Sequence, residues 1–284
     1  MTPKRLTILG IGLLGGSIGL AVKKLATPYH VIGYDHRRET LNAALACGAL
    51  DEAFDQPQRA VKDADLVILC TPVGVFEKLL TQIAPALPDG CLVTDVGSTK
   101  RSIVQLAANT LPPTAHFVGS HPMAGSEKRG VEFARADLFQ NALCLVTPTP
   151  TTNPAALTEI ESFWRLLGMQ IRQMTPEEHD RRLADISHLP HALAAAMVNI
   201  QPKDALALSG KGFLDTTRIA AGDAGLWRDI LLDNQDNLIT GIGRMQEELL
   251  QLKSLIVRRD SKSLLEWLDR AAAIRQQLKS APPQ

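Results

Sequence analysis

The six residues Gly10-Ile11-Gly12-Leu13-Leu14-Gly15 restrict the fold of this chain more than any others. They follow directly on a short apolar run, Leu6-Thr7-Ile8-Leu9, and open an Ala-, Leu- and Val-rich stretch that continues to about Leu25. Strand, glycine turn and helix form the context in which G-x-G-x-x-G binds a dinucleotide. Gly10 permits the tight turn. Gly12 lets the backbone approach a pyrophosphate, which then sits on the helix N-terminus, and Gly15 lets the helix pack closely on the strand. Leu13 and Leu14 join the three glycines as candidate cofactor-binding residues.

A second strand, Val31-Ile32-Gly33-Tyr34, ends at Asp35, twenty residues past Gly15. An acidic side chain at that spacing accepts a hydrogen bond from the adenosine ribose 2′-hydroxyl and repels a 2′-phosphate, which points to NAD. Arg37 and Arg38 pull the other way, because an arginine there can pair with that phosphate, so NADP stays open. The pattern then repeats. Asp65–Cys70 is a strand ending in Thr71-Pro72, Leu92–Val96 one ending in Gly97-Ser98, His116–Gly119 the next, and Leu143–Val146 another. Continuous apolar strands alternating with helices predict an α/β fold, a doubly wound parallel (Rossmann) sheet covered on both faces. Thr71, Pro72, Ser98 and His121 stand at or just past strand ends, facing the crevice where a cofactor lies. In Gly119-Ser120-His121-Pro122-Met123-Ala124-Gly125-Ser126-Glu127, His121 is the candidate chemical residue. The plainer alternative is a histidine that merely caps a strand.

A turn-rich break, Pro148–Pro154, precedes a predicted helix over Ala155–Leu167 and a strand over Met169–Met174. The domain boundary falls near Thr175: residues 1–175 form the dinucleotide-binding domain, and 176–284 a helical domain for substrate and dimerisation. Pro176-Glu177-Glu178 reads as a helix start. Ser187-His188-Leu189-Pro190-His191 interrupts it. No Cys or carboxylate set at metal spacing accompanies His188 and His191, so substrate contacts, or one contact and one cap, are expected rather than a metal site. Arg218, in Gly210–Arg218, is a candidate carboxylate clamp. Its alternative is a local pair with Asp215. Trp227 is either a wall of the site or core. One long amphipathic stretch from Trp227 to about Arg259, roughly 45 Å as a helix, and a last helix from Ser261 predict a subunit interface.

Thirty basic residues balance thirty acidic ones. A neutral chain gives no global argument for binding nucleic acid or a membrane surface. No apolar run is long enough to span a bilayer, and Met1–Arg5 leads straight into a strand, so no signal peptide is expected. None of the four cysteines, Cys47, Cys70, Cys91 and Cys144, forms a Cys-x-x-Cys pair. Cys70 and Cys144 lie in strand-like runs, and buried free thiols in a reducing cytoplasm are expected.

Taken together, the quoted residues resemble the prephenate/arogenate dehydrogenase family of tyrosine biosynthesis over nearly the whole length. The resemblance rests on Gly10–Gly15 with Gly-Gly-Ser at its end, Thr94-Asp95-Val96-Gly97-Ser98, His121–Lys128, Ser187–His191, and Asp215-Thr216-Thr217-Arg218 with Trp227 beyond. No additional stretch for a chorismate mutase or an ACT regulatory domain is expected. The resemblance implies oxidative decarboxylation of prephenate, with hydride passing to NAD and CO2 loss making the step irreversible. It implies His121 as the base that takes the ring-hydroxyl proton, Ser98 beside hydroxyl and nicotinamide, and His191 and Arg218 as substrate-binding residues. His188, Glu127, Asp215 and Trp227 match supporting positions, and the helical second domain matches a homodimer.

Arogenate differs from prephenate by an amino in place of a keto group, and the motifs do not separate the two acids. A β-hydroxyacid dehydrogenase would share the architecture but would need a catalytic lysine in the second domain, where Lys203 and Lys211 fall outside that family's pattern. A dinucleotide-sensing regulatory protein would bind the nucleotide without turnover; His121 paired with Arg218, and no DNA-binding motif, weigh against it.

Overall fold

The computed structural model describes residues 4–26, 29–125 and 128–280. Among these, eight strands form one sheet in the order β3-β2-β1-β4-β5-β6-β7-β8. They are β1 (Lys4–Leu9), β2 (Tyr29–Tyr34), β3 (Glu52–Phe54), β4 (Leu66–Leu69), β5 (Leu92–Asp95), β6 (His116–Pro122), β7 (Leu143–Thr147) and β8 (Gln170–Gln173). The first six run parallel, with Ile8 level with Gly33 on one side and Ile68 on the other. β1 and β4 are the neighbours at which the strand order reverses, the switch point where such sheets open a crevice. Helices α1 (Leu13–Lys23), α2 (Arg38–Ala46), α3 (Pro57–Val61), α4 (Phe76–Ile83), α5 (Arg101–Thr110) and α6 (Pro154–Leu166) connect the strands. Two apolar clusters form around the sheet, one holding Ile8, Ile68, Phe139 and Trp164, the other Leu9, Leu69, Phe76 and Val93. The central strand β4 is buried at all four residues and shows no in-and-out alternation, as a strand covered on both faces must.

Two expectations for the sheet change. β6 extends to Pro122 instead of stopping at Gly119, so His121 lies inside a strand and not in the loop after one. Its second half, Gly119–Pro122, pairs antiparallel with β7, His121 standing opposite Leu145. That pairing occupies backbone groups that a purely parallel sheet would leave to a loop.

Past β8 the chain is helical: α7 (Pro176–Leu183), α8 (Leu189–Asn199), α9 (Lys203–Leu206), α10 (Lys211–Thr217), α11 (Ala224–Asp233), α12 (Gln235–Arg258) and α13 (Ser261–Ser280). The Thr175 side chain caps α7 by accepting from Glu178 N–H, and Pro176 opens it, where its missing N–H costs nothing. Compactness divides the chain later than the change of pattern near Thr175, into Met1–Asn234 and Gln235–Gln284. The first unit extends so far because α7 and α11 hold on to α5: Ser102 Oγ donates to Asp233 at 2.6 Å, and Asp180 takes backbone bonds from Lys100 and Arg101. The single helix expected from Trp227 to Arg259 is two helices. Asn234, fully buried, ends α11 and turns its amide to Asp180 O and His188.

The second unit is the helical pair α12–α13. At 24 residues α12 spans about 36 Å. Trp267 Nε1 donates to Glu248, which Arg270 also approaches. Apolar side chains remain exposed along the pair, Ile239, Leu250 and Val257 on one helix and Leu265, Ile274 and Leu278 on the other. Among the described residues no helix is long and apolar enough to cross a membrane. All four cysteines are free; Cys91 and Cys144 are buried, and Cys70 is only half-buried.

Candidate active site

The glycine turn has the shape its spacing requires. Gly10 has φ +101°, a conformation L side chains rarely adopt, and a Cβ there would lie 2.8 Å from the Thr71 backbone nitrogen. A Cβ on Gly15 would meet the Gly10 carbonyl oxygen at 2.2 Å. Gly12 is different: a Cβ there would meet nothing within 4 Å. Gly12 also precedes α1, whose first N–H groups have no side-chain cap. Leu13 and Leu14 begin that helix, half-buried.

Asp35, buried at the end of β2, holds this turn from the side. One carboxylate oxygen accepts from Ile11 N–H and the other from Arg37 N–H, both at 3.0 Å. The Arg37 guanidinium stands 3.6 Å away. Arg38 is exposed at the start of α2. Thr71 follows β4, and its hydroxyl oxygen is buried with no hydrogen-bond partner. Pro72 leads into a short 3₁₀ turn, Val73–Val75, on which α11 packs so closely that a Cβ on Gly74 would lie 2.5 Å from the Asp229 carboxylate. An open cradle, an uncapped helix and an orphaned hydroxyl fit a dinucleotide whose phosphates lie over Gly12.

His121 is 8% exposed. Its Nδ1 lies 2.9 Å from Nε2 of His179, whose Nδ1 lies 2.8 Å from Asp180 Oδ1. Burial, then the neighbouring His179, Lys100 and His188, hold the His121 imidazole well below its ordinary pKa, so it is neutral at pH 7. Behind it Lys100, fully buried, reaches Asp95 and the Ser120 carbonyl. Asp95 also accepts from Gly97 N–H and Ser120 N–H, so the buried pair is well bonded. Ser98 is half-buried in the loop after β5, beside His188.

His188 and His191 come from the far side. Pro190 lacks an N–H, and the helix accommodates it through a π turn over Ala184–His188 before α8 resumes. Such turns are frequent at functional sites, and this one carries His188 inward. His188 Nδ1 accepts from Asn234, which places the ring proton on Nε2; that atom is buried without a well-aligned partner. Burial foremost lowers the His188 pKa to about 4. His191, buried and lowered by burial, stacks on Trp227 with ring centroids 3.5 Å apart and 13° between planes. Trp227 also stands edge-on to His188. It is therefore a half-buried wall of the histidine cluster and not general core. Arg218 is exposed at the head of a 3₁₀ turn, Arg218–Ala221, that packs on α8; the following Gly222 touches both His191 and Trp227. Asp215 is exposed and pairs with Lys211 one turn away, at 3.1 Å, not with Arg218. Glu127 lies outside the described residues.

The structure thus gathers His121, Ser98, His188, His191 and Trp227 around one place on the carboxyl side of the sheet. The sequence reading passed over His179, Asp180 and Lys100. Among the described residues no group of three or more His, Cys, Asp or Glu could hold a metal ion.

Likeness to known proteins runs through both parts of the chain. The family model "Prephenate dehydrogenase, nucleotide-binding domain" matches residues 18–173, and "Prephenate dehydrogenase, dimerization domain" matches residues 175–270. The chain belongs to the prephenate dehydrogenase family. Prephenate dehydrogenase of Bacillus subtilis is 37% identical, the alignment covering 93% of this chain and 73% of that protein. Cyclohexadienyl dehydrogenase of Zymomonas mobilis is 33% identical over 98% of this chain and 97% of its own. The crystal structure of A. aeolicus prephenate dehydrogenase, in complex with hydroxyphenyl propionate and NAD+, superposes with a TM-score of 0.91 at 32% identity, over 98% of this chain and 99% of that one. The family's two modules meet between residues 173 and 175, whereas packing in this member keeps α7–α11 with the sheet.

Proposed function

We propose that this chain catalyses oxidative decarboxylation of prephenate to 4-hydroxyphenylpyruvate, with hydride transfer to NAD+. The observation that carries this reading is His121: a buried, neutral imidazole near the carboxyl end of β6, in a chain whose family is that of the prephenate dehydrogenases. A neutral imidazole is the form able to accept a proton.

Gly10, Gly12 and Gly15, with Leu13, Leu14, Thr71 and Pro72, would hold the dinucleotide, the open face of Gly12 and the α1 N-terminus being the parts that would receive a pyrophosphate. Asp35 takes the adenosine ribose; its charge favours NAD over NADP, with Arg37 the residue that would admit the latter. Bound there, NAD+ supplies the hydride acceptor. His121 takes the ring-hydroxyl proton while hydride leaves the same carbon. Ser98 orients hydroxyl and imidazole. Arg218 and His191 hold the substrate's side chain, with His188, Trp227, Asp215 and Glu127 in support. Loss of CO2 then makes the ring aromatic. We place the domain boundary at Thr175 and infer a homodimer formed through α12 and α13, whose exposed leucines and isoleucines supply an apolar face. Four free thiols agree with a cytoplasmic enzyme.

A second reading, arogenate in place of prephenate or alongside it, is favoured by the Zymomonas relative, whose name covers cyclohexadienyl acids in general. The test is direct. Purified protein is mixed with NAD or NADP and with prephenate or arogenate, and reduced nicotinamide is followed by absorbance. Turnover with NAD and prephenate is expected, and His121→Asn should lower kcat by roughly 10²–10⁴-fold. Binding of NAD without turnover of either acid refutes the proposal.

A further inference from the structure

The hydrogen bonding that begins on His121 continues to Asp180, and the direction of each bond follows from elementary donor and acceptor counting. An ionised carboxylate only accepts. Asp180 Oδ1 takes Lys100 N–H at 2.7 Å and faces His179 Nδ1 at 2.8 Å, while Oδ2 takes Arg101 N–H at 2.9 Å. His179 Nδ1 must therefore donate. In a neutral ring the other nitrogen then accepts, and Nε2 of His179 lies 2.9 Å from Nδ1 of His121. His121 Nδ1 donates to it, and the His121 lone pair is left on Nε2.

We propose that His179 and Asp180 are positioning residues that fix His121 in its Nδ1–H tautomer, leaving Nε2 as the free base, and that share the charge when Nε2 takes a proton.

Three further observations bear on this. Both side chains are buried, His179 at 0% exposed and Asp180 at 2%, and among the described residues the His179 ring bonds to His121 on one side and Asp180 on the other. His179 is neutral in the free protein, since burial lowers it more than the Asp180 bond raises it, and Lys100 lowers it further. An imidazolium there would reverse the bond to His121. Asp180 is ionised: burial pushes its carboxyl up, but the bonds from His179 and from the backbone of Arg101 and Lys100 outweigh it. The charged and titratable groups facing the pair are Lys100 from the segment before α5, Asp95 from the end of β5, and His188 from the π turn.

The consequence for the reaction rests on the activity proposed above; the tautomer does not. In the step, the substrate O–H bond breaks and an Nε2–H bond forms on His121. The hydride goes to the nicotinamide of NAD+, and the bond to the ring carboxylate breaks to release CO2, its electron pair staying in the ring. The imidazolium so formed keeps its Nδ1–H bond to His179, which Asp180 polarises. No other oxidant or co-reactant is required.

The test has a spectroscopic arm and a kinetic arm. Long-range ¹H–¹⁵N spectra of the ring nitrogens are recorded on the full chain near pH 7.5, with His121→Asn to assign the resonances. An Nδ1–H tautomer for His121 is expected; a predominant Nε2–H tautomer overturns the proposal. His179→Leu should then lower kcat by roughly 10–100-fold, the scale on which an orienting partner acts. KM should change less than about threefold, and the acidic limb of the kcat–pH profile should move. His179→Gln, which restores an acceptor toward His121, should recover part of the loss. Unchanged kcat and pH profile in a His179→Leu protein that binds NAD normally also overturn it. Should the leucine variant fail to fold, the wild-type spectrum and the glutamine variant still decide. A wild-type protein with the Nδ1–H signature but no turnover of prephenate sustains the tautomer and refutes the proposed activity instead.

Discussion

Gly12 and Gly15 separate a glycine kept for a ligand from one kept for the fold. Gly12 has φ −92° and ψ −154°, an extended conformation open to any residue, and a Cβ there meets nothing within 4 Å. Gly12→Ala should leave the protein intact, with a change of at most about 0.5 kcal/mol and a Tm shift of about 1–2 °C. In the proposed cofactor site the new methyl group would stand where a pyrophosphate approaches the backbone. Losing hydrogen bonds from the backbone to a charged group costs about 1.5–3 kcal/mol, or roughly 10- to 150-fold in Kd for NAD. Gly15→Ala places its methyl group 2.2 Å from the Gly10 carbonyl oxygen, which is backbone and cannot swing aside. Overpacking of that kind costs about 1–3 kcal/mol, so Tm should fall by about 2–12 °C, and NAD binding with it. Isothermal titration with NAD and thermal unfolding of both variants provide the readout. Two results refute the reasoning: Gly12→Ala binding NAD as tightly as wild type, or Gly12→Ala losing as much stability as Gly15→Ala.

Acid should weaken the fold through His188. Its folded pKa of about 4 lies below the ordinary 6.5, so the unfolded chain binds more protons between those values. Stability is then full above pH 6.5 and falls as pH drops, by about 2 kcal/mol at pH 5 and roughly 3 kcal/mol below pH 4. A urea midpoint that does not move between pH 7.5 and 5 refutes this. Asp35→Ser should relax the preference for NAD, and unchanged NAD-to-NADP discrimination in kcat/KM assigns that preference to Arg37 and Arg38. Arg218→Ala should raise KM for the acid substrate by roughly 10-fold or more with little change in NAD affinity; an effect confined to NAD removes Arg218 as the carboxylate clamp.

What could be read from the sequence was what depends on local spacing. The glycine turn and Asp35 follow from contacts within one βαβ unit. The five longer parallel strands follow from apolar runs of the right length. Partner choice was not local: nothing in Leu143–Val146 says that it runs antiparallel to β6, and nothing in His116–Gly119 says that the strand continues through Pro122. β3, with three half-buried residues, is too short to register as a period. The break at Asn234 escaped for the same reason. Asparagine is an ordinary residue on an amphipathic stretch until its amide is seen satisfying Asp180 and His188. His179 and Asp180 did leave a signal. The buried residues of α7 are Pro176, His179, Asp180 and Leu183, spaced i, i+3, i+4, i+7. A helical stripe that should be apolar carries a histidine and an aspartate, and such polar residues are buried only with partners.

That stripe also explains why the sheet and helices α7–α11 pack as one unit. α5 begins at Arg101 with no side chain of its own to cap it. The cap is Asp180, whose carboxylate meets the N–H groups of Lys100 and Arg101 where the helix dipole favours a negative charge. The same carboxylate meets His179, and through it His121. One side chain therefore closes the start of a sheet-covering helix, docks α7 against it, and orients the imidazole on β6. Because these tasks share one carboxylate, a perturbation that loosens α7 from α5 must also loosen the base. Asparagine in its place would keep one acceptor oxygen for three donors and set an NH₂ against at least one N–H. Stability and base orientation should accordingly be lost together at Asp180, whereas at His179, which caps nothing, orientation should be lost with the smaller cost to the fold.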